Sequence, residues 1–588
     1  MQTKKMSTRR FEIASSQETD KMSRNAGEIP LQRYTNDKKT DDTDAGSQKK
    51  INTKIEKLIV NNPKTLYYCC LFIINFIAVI YFIFATIYWR SKKAEKEFNW
   101  CNGYGLLLLL YCFVYGRLAY NYVLKKVYHS TPDRFRSYWS KLNSLTKRCN
   151  AEIMLLSCMI IAISVFLIID TWNSKQKLVG LGGVFFIILF GWVFSKHRKE
   201  VVWRAIIWGL IIQFLFGLIS IRWSIGRSIF QCLSEKVKTF LDFSKSGASS
   251  VYSERLVEEG TFAFSVLPIL FFFSSTVSIL YHLGVIQYII KTIGWALYAI
   301  LGTTVCESLH AATTLFLGMP ESFLVIEPYL NELTTSEIHT IMCSCFATTS
   351  GTVMAAYISF GAEPIHLLTA TLMSAPAGLT IAKLIYPEKQ KSSTTFKNIK
   401  FKESENFSLL DAIAHGATSA IPLVLGITAN LIVFVSAVVF LNSIISWFGY
   451  LVGYPEITFE LIVSKLFIPV SFLMGVPWDQ CESVASLVGL KTMVNEFVAY
   501  QKLGILKRDG LLTKRAEAIA TYAICGFSNP ASIGIMMGSL SSMAPSRKTD
   551  IVNTVLRAFV GGCAVCFLTA SIAGILIDEE SFESHGSL

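Results

Sequence analysis

An all-α chain that crosses a bilayer many times is predicted here by three features: a deficit of charge, long apolar runs, and a duplicated set of apolar segments interrupted by Gly, Pro, Thr and Asn. Over 588 residues the chain is 52% hydrophobic and 16% charged, where a soluble domain carries roughly 25% charged residues. The deficit gathers in runs such as residues 66–89, LYYCCLFIINFIAVIYFIFATIYW. Roughly 20 apolar residues rising about 1.5 Å each match a hydrocarbon core of about 30 Å.

Taken in order, residues 1–65 read as a disordered cytoplasmic tail of Ser, Thr, Lys, Asp and Glu, without the short apolar core of a removable signal peptide. Accessory N-terminal spans occupy 66–177, at 66–89, 104–123 and 151–170. Scaffold helices follow in 178–304, with spans at 178–195, 202–221, 261–281 and 284–302. Between them, Ile225, Ile229, Leu233, Val237 and Leu241 recur every four residues while Glu235, Lys236 and Lys238 take other faces. Such a helix lies in the membrane interface or packs on protein. Residues 305–390 form a first transport repeat, 391–470 a linker with scaffold helices, 471–545 a second transport repeat, and 546–588 a last span and tail. Further spans read at 338–360, 364–386, 421–449 and 551–577, and the lysine-rich segment 387–404 separates the two halves.

Basic loops set the orientation. Lys125, Lys126, Arg134 and Arg136 follow the second span and Lys196, Arg198 and Lys199 the fourth, which places both loops in the cytoplasm against the dissent of Arg90, Lys92, Lys93 and Lys96. The net charge of +13 lies in the tail and short loops rather than on one face of a soluble fold, so nucleic acid is not expected as a partner. Cys563 and Cys566 have redox spacing, but within GGCAVCFLTASIAG they read as close helix packing. No phosphate loop, metal cluster or nucleophile triad is present, so neither an enzyme nor a resident cofactor is expected. The sequon at Asn406 is a weak glycosylation signal.

The interrupted segments carry the functional reading. From Val305 to Leu317 a helix reaches only about 20 Å before Gly318-Met319-Pro320 stops it. Residues 305–330 therefore read as a re-entrant hairpin with Glu321 at its tip, a backbone tolerated at mid-depth only inside protein or against a wet cavity. The next span holds Thr348, Thr349, Ser350 and Gly351, where it should unwind. The order repeats: GVPWDQCESVASLVGLKTMVNEFVAY (475–500) carries Glu496 near its end, and CGFSNPASIG (525–534) is broken at Asn529-Pro530. Hairpin then broken span, once in each half, is the pattern of inverted-repeat transporters whose site lies at the midplane. Carboxylates at that depth read as functional. Glu307 sits nearer a hairpin entrance, and His310, His366 and His415 read as packing before proton relay. A channel or a receptor is the alternative class; a receptor would lack the duplicated hairpins.

At these residues the chain resembles the concentrative nucleoside transporter family, in a eukaryotic member's form, over about 178–577. The resemblance rests on ESLHAATTLFLGMPESFLVIEPYL, MSAPAGLTIAKLIYPE, GVPWDQCESVASLVGLKTMVNEFVAY and CGFSNPASIGIMMGSLSSMAP. It implies a homotrimer in the plasma membrane, each protomer with a scaffold and a transport domain that moves like an elevator. It implies that Gly318, Met319, Pro320, Glu321 and Val353 meet the nucleobase, with Met319 and Pro320 standing where the family has Gln and Thr or Ser. Glu496, Asn529 and Ser532 would hold the ribose, with Phe527 beside it. A coupling sodium would take Thr314, the Leu317 carbonyl, Thr348 and Thr349; Thr314 replaces the family's Asn. Proton coupling with altered base selectivity is the runner-up.

Overall fold

A computed structural model describes residues 63–91, 98–119, 151–172, 175–259, 261–390, 392–394 and 406–578. The N-terminal tail and most of the lysine-rich linker lie outside the described residues. Among the described residues, eight helices are long and apolar enough to cross a membrane, and three shorter apolar helices join them at Tyr104–Gly116, Lys177–Val193 and Val285–Leu301. These coincide with the spans read from hydropathy, and the chain is a multi-pass membrane protein.

The first compact unit holds α1 (Pro63–Ser91) and α2 (Tyr104–Ala119). Aromatic rings join them: Phe82 and Tyr111 lie 4.6 Å apart and Trp89 stacks on Tyr104 at 5.0 Å. Residues such as Phe72 and Phe84 remain exposed, as lipid-facing positions should.

The second unit begins with α3 (Ala151–Thr171), α4 (Lys175–Val193), α5 (Trp203–Gly217, extended by a π-turn to Arg222) and α6 (Ser224–Tyr252). Lys177, Asp170, Arg222 and Asp578 form a square of ion pairs that ties α3, α4 and α5 to the end of the last helix. The reading of α6 as a helix packed on protein holds for its C-terminal half. Ile225, Ile229 and Leu233 are exposed, whereas Leu241 is buried with Ile269 and Ala355.

Two series of helices in the same order make up the rest. The first is α7 (Leu267–His282), α8 (Val285–Leu301), α9 (Val305–Thr313), α10 (Met319–Leu324), α11 (Thr335–Ala347), α12 (Gly351–Ser359) and α13 (Pro364–Ile385). The second is α14 (Leu409–Leu451), α15 (Phe459–Leu473), α16 (Cys481–Met493), α17 (Glu496–Arg508), α18 (Lys514–Ile524), α19 (Pro530–Met543) and α20 (Lys548–Leu576). The span at 338–360 breaks where it was expected to unwind, into α11 and α12 separated by extended backbone at Thr348. Two sequence expectations need correction. The span at 421–449 starts at Leu409, because Ser408 caps it by accepting from the Asp411 N–H at 3.2 Å and Pro422 is absorbed inside the helix. The second hairpin turns at Val494–Asn495, so Glu496 stands at its tip and not near its end. Helix α15 was not anticipated, since Lys465 and Pro469 interrupt its apolar run.

α13 serves as a ruler for the hairpins. At its C-terminal end Lys383 pairs with Glu307 at the base of the first hairpin, 2.5 Å away. At its N-terminal end Glu363 pairs with Lys507 at the base of the second, 2.6 Å away. The hairpins therefore enter from opposite faces, as inverted repeats require.

Candidate functional site

Each hairpin tip and each break begins a new helix, and the sequence supplies the start signal locally. Asn529 caps α19, its Oδ1 accepting from the Ser532 N–H at 2.9 Å, and Pro530 follows, where its missing N–H costs nothing. Asn495 caps α17 by accepting from Val498 N–H at 2.9 Å. Ser350 caps α12 through Val353 N–H at 3.4 Å. Gly318 precedes α10, with Pro320 in the first turn. A Cβ on Gly318 would stand 2.4 Å from a Glu321 carboxylate oxygen, so only glycine lets that carboxylate fold back over the tip.

These four helix N-termini line one cavity of about 420 Å³. Every predicted substrate residue lines it: Gly318, Met319, Pro320, Glu321, Val353, Glu496, Phe527, Asn529 and Ser532. Each N-terminus presents unpaired N–H groups and about half a positive charge, which stabilises the two carboxylates set in the first turns of α10 and α17. They differ in setting. Glu321 is open to the cavity, while Glu496 is 3% exposed and accepts from the Asn529 amide. Asn529 thus caps a helix with its oxygen and orients Glu496 with its nitrogen. Behind Glu496, Tyr357 stacks on Tyr500 at 4.2 Å and meets Phe497 edge-on.

None of the expected cation ligands Thr314, Leu317, Thr348 and Thr349 is among the residues that line the cavity. Thr314 Oγ1 donates to Ala311 O at 3.0 Å and Thr348 Oγ1 to Ser344 O at 2.9 Å, which leaves lone pairs on both hydroxyls. Leu317 N–H bonds back to Thr313 O at 3.0 Å. The Thr349 hydroxyl turns to Thr371, 3.3 Å away, and Cys525.

Other candidates are structural. Glu307 accepts from Thr304 N–H at 2.9 Å as the capping box of α9 and pairs with Lys383. His310 stacks on Phe323 and lies 3.3 Å from Ser322 Oγ. His366 lines a separate cavity, His415 is exposed on α14, and Cys563 and Cys566 are free thiols.

Sequence reasoning missed one wall. Ser419, Pro422, Leu423, Gly426, Ile427 and Asn430 of α14 complete the cavity. An amide within the apolar run ITANLIVF was the available signal.

The cavity offers carboxylate acceptors and helix N–H donors at its tips and apolar or aromatic surface from Val353, Ile427 and Phe527 between them. It suits a small uncharged solute with a flat face and several hydroxyl or N–H donors. Opposed hairpins and broken helices around such a cavity are the architecture of secondary transporters.

The chain belongs to the sodium-dependent, concentrative nucleoside transporter family. Profiles described as the C-terminus and N-terminus of the Na+ dependent nucleoside transporter match residues 366–574 and 182–255, and one described as a nucleoside-recognition gate matches 263–364. Among relatives, solute carrier family 28 member 3 of Mus musculus is 46% identical over 72% of this chain and 62% of its own length. Sodium/nucleoside cotransporter 1 of Oryctolagus cuniculus is 41% identical over 74% of this chain and 68% of its own. The chain spans about 62% of the length of the first of these relatives. Among solved structures, CNTnw in an inward-facing substrate-bound state superposes with a TM-score of 0.65 at 31% identity, over 70% of this chain and 99% of that one. The family's named members are transporters and not enzymes.

Proposed function

We propose that this chain is a symporter that imports nucleosides across the plasma membrane, driven by a cation, sodium before proton. Within a homotrimer, the broken-helix repeats travel as an elevator against a scaffold that includes α14. The observation that carries this reading is the gathering of Glu321, Val353, Glu496, Phe527, Asn529 and Ser532, from four separate helix starts, around one cavity.

In this reading the ribose hydroxyls donate to Glu496, whose orientation Asn529 holds. The base lies over Phe527 and Val353 and reaches the first tip. Met319 and Pro320 bring no side-chain hydrogen bond, so Glu321 and backbone groups read the base edge. A sugar hydroxyl left unmatched on losing water would cost about 1–3 kcal/mol, so both ends of the solute are recognised. Hydroxyl and carbonyl oxygens suit a hard cation, and Thr314, Leu317, Thr348 and Thr349 supply them at the joint between first hairpin and first break. One charge moving through about 60 mV contributes about 1.4 kcal/mol. A tenfold cation gradient adds about 1.4 kcal/mol more, so roughly hundredfold accumulation is available.

The test is uptake of labelled uridine and adenosine by proteoliposomes, with sodium replaced by choline, at acid and at neutral pH. Accumulation that requires sodium is expected. Uptake that only equilibrates would remove the coupling, stimulation by acid alone would make the proton the driver, and current without solute would make the chain a channel.

A further inference from the structure

Lys491, near the end of α16, is 0% exposed. Its ammonium donates to the Ser528 hydroxyl and lies 3.6 Å from Cys566 Sγ, and no carboxylate among the described residues is within ion-pairing reach. It does not line the cavity, so recognition of the solute leaves it unexplained. A buried ammonium persists only where something compensates its lost water.

Its surroundings supply carbonyl oxygens. α11 stops at Ala347 and α18 at Ile524, and each brings about half a negative charge to its C-terminal end, where local groups meet part of the last carbonyls, the Thr348 hydroxyl that of Ser344 and the Gly526 N–H that of Ile524. The two ends cross at this point. A Cβ on Gly526 would lie 2.9 Å from Phe346 O, 3.2 Å from Ala347 O and 2.6 Å from Cys566 Sγ, so the close approach depends on glycine. Cys566 Sγ, which touches Lys491, is itself 3.9 Å from Ala347 O and 3.5 Å from Cys525 O. The ammonium stands one sulfur atom away from two negative helix ends.

We propose that the Lys491 ammonium is a tethered cation: it takes the carbonyl-rich crossing of the two breaks, which would otherwise draw a free cation, and through Ser528 it holds the turn from which Asn529 reaches Glu496. Lys491 is a positioning residue, since it acts through Ser528 and Asn529 and not on the solute. The second repeat then carries its positive charge permanently, and a mobile coupling ion is left the oxygens of the first. The inference deepens the transport reading, but the test can be read without any transport.

Purified full-length protein and its Lys491→Gln variant are unfolded thermally across a sodium series, with choline holding ionic strength. The unmodified chain should show one saturable stabilisation by sodium. Lys491→Gln should start less stable in choline and gain a second, weaker sodium-dependent rise, as a free ion enters the vacated crossing. In liposomes its uptake should fall about tenfold or more, the scale of losing a buried charged hydrogen-bond donor, recover in part at high sodium, and depend more steeply on sodium. Lys491→Arg should keep the single-phase curve. A Lys491→Gln protein whose stability and sodium curve match the unmodified chain overturns the proposal. Should Lys491→Gln fail to fold in either salt, Lys491→Arg decides: a folded protein with the single-phase curve upholds a fixed cation, and any other result rejects it. If nucleosides prove not to be the solute, the unfolding curves still stand.

Discussion

The two hairpins share a plan and differ in how far each is assembled before a solute arrives. The second has its carboxylate buried, an amide already bonded to it, aromatic rings packed behind it and an ammonium beside the turn that carries the amide. The first leaves Glu321 open to the cavity over a glycine, with Met319 and Pro320 as the first two residues of α10. A preorganised half binds what all substrates have in common at little ordering cost, whereas an open half adjusts to what varies. In a nucleoside the common part is ribose and the variable part is the base.

The largest effect should come from the preassembled side. If ribose hydroxyls donate to Glu496 as proposed, Glu496→Gln removes a charged acceptor worth about 1.5–3 kcal/mol per bond, so uptake below saturation should fall about 10- to 150-fold for every nucleoside. If only purines or only pyrimidines suffer in a competition panel, the division of labour between hairpins is wrong. Asn529→Ala loses both a helix cap, about 0.5–2 kcal/mol, and the bond to Glu496. It should lower thermal stability and weaken 2′- and 3′-hydroxyl-bearing solutes more than their deoxy analogues. Asn529→Asp should keep the cap and still lose both stability and affinity, because its second oxygen is set against the buried Glu496 carboxylate.

On the open side, Glu321→Gln should change the ranking of bases by about tenfold, one hydrogen bond's worth, and leave discrimination against deoxyribose unchanged. The same panel would report both. A uniform loss across bases and sugars would merge the two hairpins into one undivided grip.

The smallest effect concerns the base of the second hairpin, outside the spans. Burial alone would raise the Glu363 carboxyl, but Lys507 beside it carries it below the usual carboxylate range, while Lys507 is held above its ordinary value by Glu363 and Glu517. A depressed carboxyl contributes stability above its unfolded value that is lost as pH falls through the lowered one. The raised ammonium contributes below its own unfolded value and loses it only at strongly alkaline pH. The pair should therefore hold across the physiological range and fail in acid. Because Glu363 is half exposed, screening limits its worth to about 1 kcal/mol or less. Lys507→Met should lower the unfolding midpoint slightly at neutral pH and match the unmodified chain in acid. Equal midpoints at neutral pH would show that the clip holds nothing.

What the sequence told in advance follows from what acts locally. Pro320, Asn529-Pro530 and the Thr-Thr-Ser-Gly run each stop or start a helix by themselves, so both hairpins and both breaks were legible, and so were the carboxylates they carry. The α14 wall was not, since Ser419 and Asn430 reach the cavity only through packing of a distant helix. The ion pair of Glu307 was not legible either, since its partner Lys383 is remote in sequence and reaches it only through the fold. Lys491 stood inside the quoted motif unremarked, because the helix ends that tolerate it belong to two other segments.

α13 has Lys383 near one end and Glu363 at the other, each clasping a different hairpin. A single rod thus sets the spacing between the two tips much as a caliper bar sets its jaws. The gauge for cargo size is cut once, by a helix that never touches the cargo, and a change in that bar's length would retune every substrate together.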